Sequence, residues 1–104
     1  MKYERIEHEG KYLGPYALVV MTEKKHQFRG CMMAKVSYIS LMAWLMHCLP
    51  KSQIGVIFDM DGTIHHCLGH KDGCEHFYSE YKGKKIGEVF GIEPAEGFWE
   101  DDEN

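Results

Sequence analysis

The chain has 104 residues, 44% of them hydrophobic and 27% charged, with a net charge of −4 at neutral pH. That length suits one domain and excludes a second core, and the mixed composition excludes a disordered or fibrous chain. Four of the sixteen acids form the run Glu100, Asp101, Asp102 and Glu103, so the twelve acids of residues 1–97 are matched by twelve Lys and Arg, and the body is neutral. A single domain over 1–97 is expected, with an acidic, frayed tail over 98–104 that is either solvated or an anchor for a basic partner. A neutral body also argues against general nucleic-acid binding, which calls for a net basic face.

The opening residues MKYERIEHEG lack the apolar run and small-residue cleavage site of a signal peptide, so a cytoplasmic chain with reduced cysteines is expected. Cys31, Cys48, Cys67 and Cys74 are read as buried thiols or metal ligands. Residues 3–8 alternate in character, and Gly10 and Gly14-Pro15 break the pattern beyond them; this reads as a strand, a turn and a return strand at Tyr16–Thr22. The apolar, β-branched content of that return strand suits a position buried on both faces.

The longest apolar stretch runs from Cys31 to Leu49 and is closed by Pro50. Ser37, Ser40, Trp44 and His47 fall on one narrow stripe at helical spacing, so a central helix over 31–49 is expected. Its other faces are more apolar than one small sheet would cover. Lys35, the serines and His47 interrupt the run well short of the ~20 residues a membrane span needs. Self-association through Met42, Leu45 and Met46 is the expectation instead, giving a homo-oligomer.

Ile54–Leu68 holds two apolar runs split by Asp61-Gly62, a dipeptide suited to a two-residue hairpin turn that pairs Met60 with Thr63 and Phe58 with His65. After it, 69–73 reads as a loop, 74–81 as two helical turns and 85–92 as a late strand interrupted by glycines. The fold expected is α+β: a small antiparallel sheet of two hairpins, about four or five strands, packed on one central apolar helix.

The segment Val56-Ile57-Phe58-Asp59-Met60-Asp61-Gly62-Thr63-Ile64 resembles the first motif of the haloacid dehalogenase superfamily, in which a hydrophobic strand delivers DxDGT to the active site. The resemblance implies a Mg²⁺-dependent phosphohydrolase with Asp59 as nucleophile and Asp61 as general acid/base. It covers nine residues. The family places further motifs on later parallel strands, and only residues 64–104 remain after Thr63 here, whereas one βαβ crossover alone uses about 30 residues. Ser79, Lys82 and Asp101-Asp102 stand in the right order but too close together. A hairpin with an Asp-Gly turn explains the same letters without catalysis.

Four of the seven histidines crowd into His65, His66, His70 and His76. Cys67, His70, Cys74 and His76 supply the two thiolates and two imidazoles of a tetrahedral Zn²⁺ site, although Cys-x-His is tighter than the usual spacings. On a regular strand His65 and His66 point to opposite faces, so at most one of them can join Asp59. Two basic clusters, Lys24, Lys25 and Arg29, and Lys82, Lys84 and Lys85, could hold an anion, with Tyr78 and Tyr81 near the second to stack on a base.

The functional expectation is a small non-enzymatic protein, of an interaction, inhibitor or ligand-binding type, acting as a homo-oligomer on a protein partner or a small anionic ligand such as a nucleotide. Compact chains of this sort are often encoded by phages or mobile elements. A Mg²⁺-dependent hydrolase at Asp59 and Asp61, and a zinc-binding module over 65–76, are the alternatives.

Overall fold

The computed structural model describes residues 3–24, 27–33 and 37–100. β1 (Ile6–His8) and β2 (Lys11–Gly14) form a two-stranded ribbon. β3 (Ala17–Lys24), β4 (Gln27–Met33), β5 (Ile54–Phe58), β6 (Ile64–Lys71) and β7 (Cys74–Phe77) form a five-stranded sheet in the order β4-β3-β5-β6-β7. Helix α1 (Tyr38–Cys48) joins β4 to β5, a 3₁₀ turn spans Ser79–Tyr81, and α2 (Ile86–Phe90) comes after it. Every strand pair among the described residues is antiparallel. The α+β class expected from the sequence is present; the arrangement of elements differs from expectation in several places, each for a physical reason.

The partner of the first strand is β2, not Tyr16–Thr22. Glu9 and Gly10 both have positive φ, 51° and 76°, and join His8 directly to Lys11 in the two-residue turn that matches strand twist. Tyr16–Thr22 is thereby released into β3, which pairs with β4 on one side and β5 on the other. Both its faces are buried, Leu18 and Val20 on one and Ala17, Val19 and Met21 on the other.

The apolar stretch 31–49 divides. Cys31–Met33 pair with Leu18–Val20 and complete β4, because a short apolar run reads equally as strand or helix and the neighbouring strand decides. The helix itself starts after Ser37, whose Oγ accepts from the Ser40 N–H at 3.4 Å, and ends before Leu49-Pro50. It is not central. β4 and β5 run the same way with β3 between them, so α1 crosses over β3 and lies on one face of the sheet. Gly55 permits the close approach: a Cβ there would stand 2.1 Å from Leu45 Cδ2. Only Leu41 and Leu45 are fully buried, above Leu18, Ile57 and Leu68.

The C-terminal half is also rearranged. The loop expected at 69–73 is the end of β6 and a two-residue turn, Asp72 and Gly73 at φ 54° and 82°, and the helix expected at 74–81 begins instead as β7. The strand expected at 85–92 is α2, stopped by Gly91 in the left-handed region at φ 68°. Ile86 and Phe90 from α2 cover the second face of the sheet, packing on Val56, Phe58, Ile64 and Cys67. Phe98 and Trp99 join them on Phe58, so the packed body runs through Trp99. Residues 101–104, which hold Asp101, Asp102 and Glu103 of the acidic run, lie outside the described residues.

Candidate functional site

The sequence draws attention to the connection between β5 and β6. Asp61-Gly62 does not form the expected two-residue turn: the loop is Met60-Asp61-Gly62, closed by Gly62 N–H to Asp59 O (2.9 Å) and Asp59 N–H to Thr63 O (3.1 Å). Only Gly62 has positive φ, 79°, which is the three-residue loop ending in a left-handed glycine. The longer loop pairs Phe58 with Ile64 rather than with His65. Ile57 then pairs with His66, leaving His65 as the extra residue of a β-bulge.

That bulge assembles the most connected polar group among the described residues. Alternation would send His65 and His66 to opposite faces; the extra residue puts both on the α1 side. His65 lies edge-on to Tyr16 at 5.0 Å, and His66 is opposite Ile57. His65 Nε2 meets Asp59 Oδ2 at 2.8 Å. The other oxygen, Asp59 Oδ1, accepts from the Asp61 N–H (2.8 Å) and the Thr63 N–H (3.0 Å). Asp59 is only 6% exposed, and a carboxylate accepts only, so Nε2 carries the imidazole proton. Tyr12 lies beside the imidazole, donates to Pro15 O and accepts from the Met60 N–H, and burial pushes its hydroxyl up to about 12.

Asp61 is held from both sides. Its carboxylate pairs with Arg5, which comes from just before β1 and stacks over the Tyr12 ring at 5.4 Å. Its carbonyl accepts from Lys85 Nζ (3.0 Å), which also donates to Thr63 Oγ1 (2.9 Å). Lys85 is brought there because 83–86 runs along the hairpin, with Ile64 N–H donating to Lys84 O and Ile86 N–H to Gly62 O. Thus the contacts of Asp59 and Asp61 hold a hairpin together.

Chemically, a carboxylate-held imidazole is half of a base-assisted nucleophile, but no hydroxyl or thiol among the described residues hydrogen-bonds to it. The group also does not fit the Mg²⁺ that the haloacid dehalogenase resemblance implies. Both Asp59 oxygens are bonded, Asp61 is paired with a guanidinium, and the strand pairs of the described residues are all antiparallel where that family needs parallel ones.

Zinc fares no better. Cys67, Cys74 and His76 share one face of the β6–β7 ladder, while His70, two residues from Leu68 on β6, belongs to the opposite, α1-facing side. Among the described residues no three His, Cys, Asp or Glu stand together as a metal site. Burial pushes the Cys67 thiol up to about 12. His66 Nε2 and His70 Nδ1 are buried without a hydrogen-bond partner.

The expected anion sites involve two segments. Lys25 lies outside the described residues, and Lys24 and Arg29 take part in the β3–β4 ladder opposite Gln27 and Thr22. Lys85 is engaged as above, leaving Lys82 and Lys84 exposed. Tyr78 and Tyr81 stack on each other at 5.6 Å and pack half-buried against the core beside Gly69 and Phe90.

On the far side of the hairpin tip lies a feature that the sequence did not indicate. A groove of about 400 Å³ is bounded by the Met60–Gly62 loop, the start of α2 and the segment 93–100. No family model, curated protein or solved structure matches this chain.

Proposed function

We propose that this chain is a non-enzymatic interaction domain that works as a homo-oligomer, its self-association surface being the outer face of α1. The observation that carries the reading is the character of that face. Ile39 is 81% exposed and Met46 39% exposed, with Met42 half-buried and Ala43 exposed between them, at the spacing of a helix seam. No Asp, Glu, Lys or Arg occurs anywhere in Tyr38–Cys48. A surface helix ordinarily carries charges on its solvent side. This one can lie antiparallel against a second copy with no like-charge contact and with the two helix dipoles opposed.

The sequence-based interface set is sharpened by this: Met42 and Met46 remain, Ile39 joins them, and Leu45 is excluded because it is buried against Gly55. The non-enzymatic part of the reading is supported by the engagement of both Asp59 oxygens in hydrogen bonds and of Asp61 Oδ1 with Arg5. Mass measurement by light scattering should give a multiple of 12.1 kDa for the wild type and one chain for Ile39→Glu. A wild-type monomer at micromolar concentration would remove the reading. Aryl phosphate turnover with Mg²⁺ that is abolished by Asp59→Asn without unfolding would replace it with a hydrolase.

A further inference from the structure

We infer that His66 makes β7 an acid-released edge of the sheet: when the imidazole takes up a proton, this four-residue strand unpairs from β6 while the rest of the fold stays closed. The starting observation is a buried polar atom. His66 Nε2 is out of reach of solvent and has no hydrogen-bond partner. The two other imidazoles on the α1 side of β6 are placed differently. His65 is bonded to Asp59 Oδ2 at 2.8 Å. His70 Nδ1 is also buried and unpartnered, but its ring stands opposite Glu75 in the ladder, a carboxylate that attracts it once charged.

The surroundings of His66 hold no such group. Opposite it on β5 is Ile57, and on β7 the Phe77 ring meets it edge to face at 5.2 Å. Lys82, beyond the 3₁₀ turn, adds a positive charge. Helix α1, which covers this face, carries no Asp or Glu, and its titratable side chains are Tyr38, His47 and Cys48. A charged imidazole in that setting keeps an N–H away from both water and any carboxylate, which disfavours the proton. Burial, and then Lys82, accordingly hold the ring below its ordinary pKa. Proton uptake is therefore coupled to exposure of Nε2.

Of the two elements over this face, β7 is the less anchored. α1 is held by Leu41 and Leu45, 3% and 2% exposed, the second seated against Gly55. β7 pairs with β6 alone among the described strands, and Cys74, Glu75 and Phe77 are exposed. An edge strand with few buried contacts opens at a lower free energy than a core element. Its release uncovers the backbone edge of β6 at residues 68–71, which β7 otherwise occupies.

Amide hydrogen exchange of the full-length protein, followed by NMR at about pH 7.5 and about pH 5 and corrected for the intrinsic pH dependence of exchange, tests the inference. Opening of residues 74–77 should rise roughly thirtyfold at the lower pH, the limit for an imidazole of pKa about 6.5 that charges only in the opened form. Residues 18–21 and 56–58 should keep their protection. His66→Gln, which has no proton to gain, should remove the rise, and His70→Gln should leave it. In the wild type the His66 ring resonances should titrate together with the opening, a readout that needs no variant. Equal protection of β7 at both pH values, an equal rise in His66→Gln, or abolition of the rise by His70→Gln would overturn the inference. So would titration of His66 with β7 still protected, or loss of protection across the whole sheet at once.

Discussion

The two faces of the five-stranded sheet are covered in opposite ways. On one, a single eleven-residue helix supplies two deeply buried leucines and leaves Ile39, Ala43 and Met46 exposed beside Ser40 and His47, with no Asp, Glu, Lys or Arg. On the other, a 3₁₀ turn, a five-residue helix and an irregular segment supply Ile86, Phe90, Phe98 and Trp99. The first cover is held by regular periodicity; the second is held by aromatic side chains placed one at a time. The difference teaches that a face can be sealed without a long element, provided a few large rings reach the sheet.

The largest expected effects test whether the two covers share one cooperative unit. Phe90→Ala should lower unfolding free energy by about 3–5 kcal/mol and Leu45→Ala by about 2–5 kcal/mol, measured by urea unfolding. One transition, shifted by either variant, is expected. If Phe90→Ala instead frees only the amides of residues 79–100 to hydrogen exchange and leaves the sheet midpoint unchanged, the second cover is an appendage and the comparison fails.

A smaller loss is expected at the tip where the covers meet. Asp59→Ala removes the acceptor for two backbone N–H groups and His65 and should cost about 2–3 kcal/mol; Asp59→Asn, which keeps one acceptor oxygen, should cost about half of that. Equal losses in the two variants would mean that the contact to His65, rather than the backbone capping, holds the loop.

The smallest effects separate the faces by pH. Cys67 lies on the second face, where burial raises its thiol from 9.0 to about 12. The unfolded chain releases that proton first, so stability should decline as pH rises from about 9 towards 12, with Tyr12 adding to the same limb above about 10. His66 lies on the first face, where burial, then Lys82, lowers it below 6.5. Here the unfolded chain takes up the proton first, and stability should fall as pH drops below about 6.5. Cys67→Ala should reduce the alkaline limb, leaving the Tyr12 contribution above about pH 10, and His66→Phe should flatten only the acid limb, read as melting temperature against pH.

Legibility in the sequence divides along the same line. Tyr16–Thr22 and Ile54–Phe58 were legible as strands because their runs are apolar and β-branched, and Pro50 marked the helix end. The helix start was not, since Cys31–Met33 becomes strand through pairing with β3, a contact no local pattern records. Two Asp-Gly dipeptides behave differently: Asp72-Gly73 takes the two-residue turn, whereas Asp61 stays at negative φ because Asp59 Oδ1 binds the Asp61 and Thr63 N–H groups. At the site, Asp59, Asp61 and His65 stood out in the sequence, but Arg5 reaches Asp61, and Tyr12 reaches Met60 and His65, from some fifty residues away, by a register that only the ribbon and the bulge define.

The bulge at His65 has a consequence for how this molecule could change. Because Ile64 and His66 pair with consecutive residues of β5, His65 occupies a slot that the ladder does not count. Deleting it would leave every downstream residue of β6 in frame, with Val56 still opposite Cys67 and Leu68 still under α1. Only the imidazole would go. The tip chemistry is in this sense an insert of one residue, which can be edited or lost by descent without asking the sheet to be rebuilt.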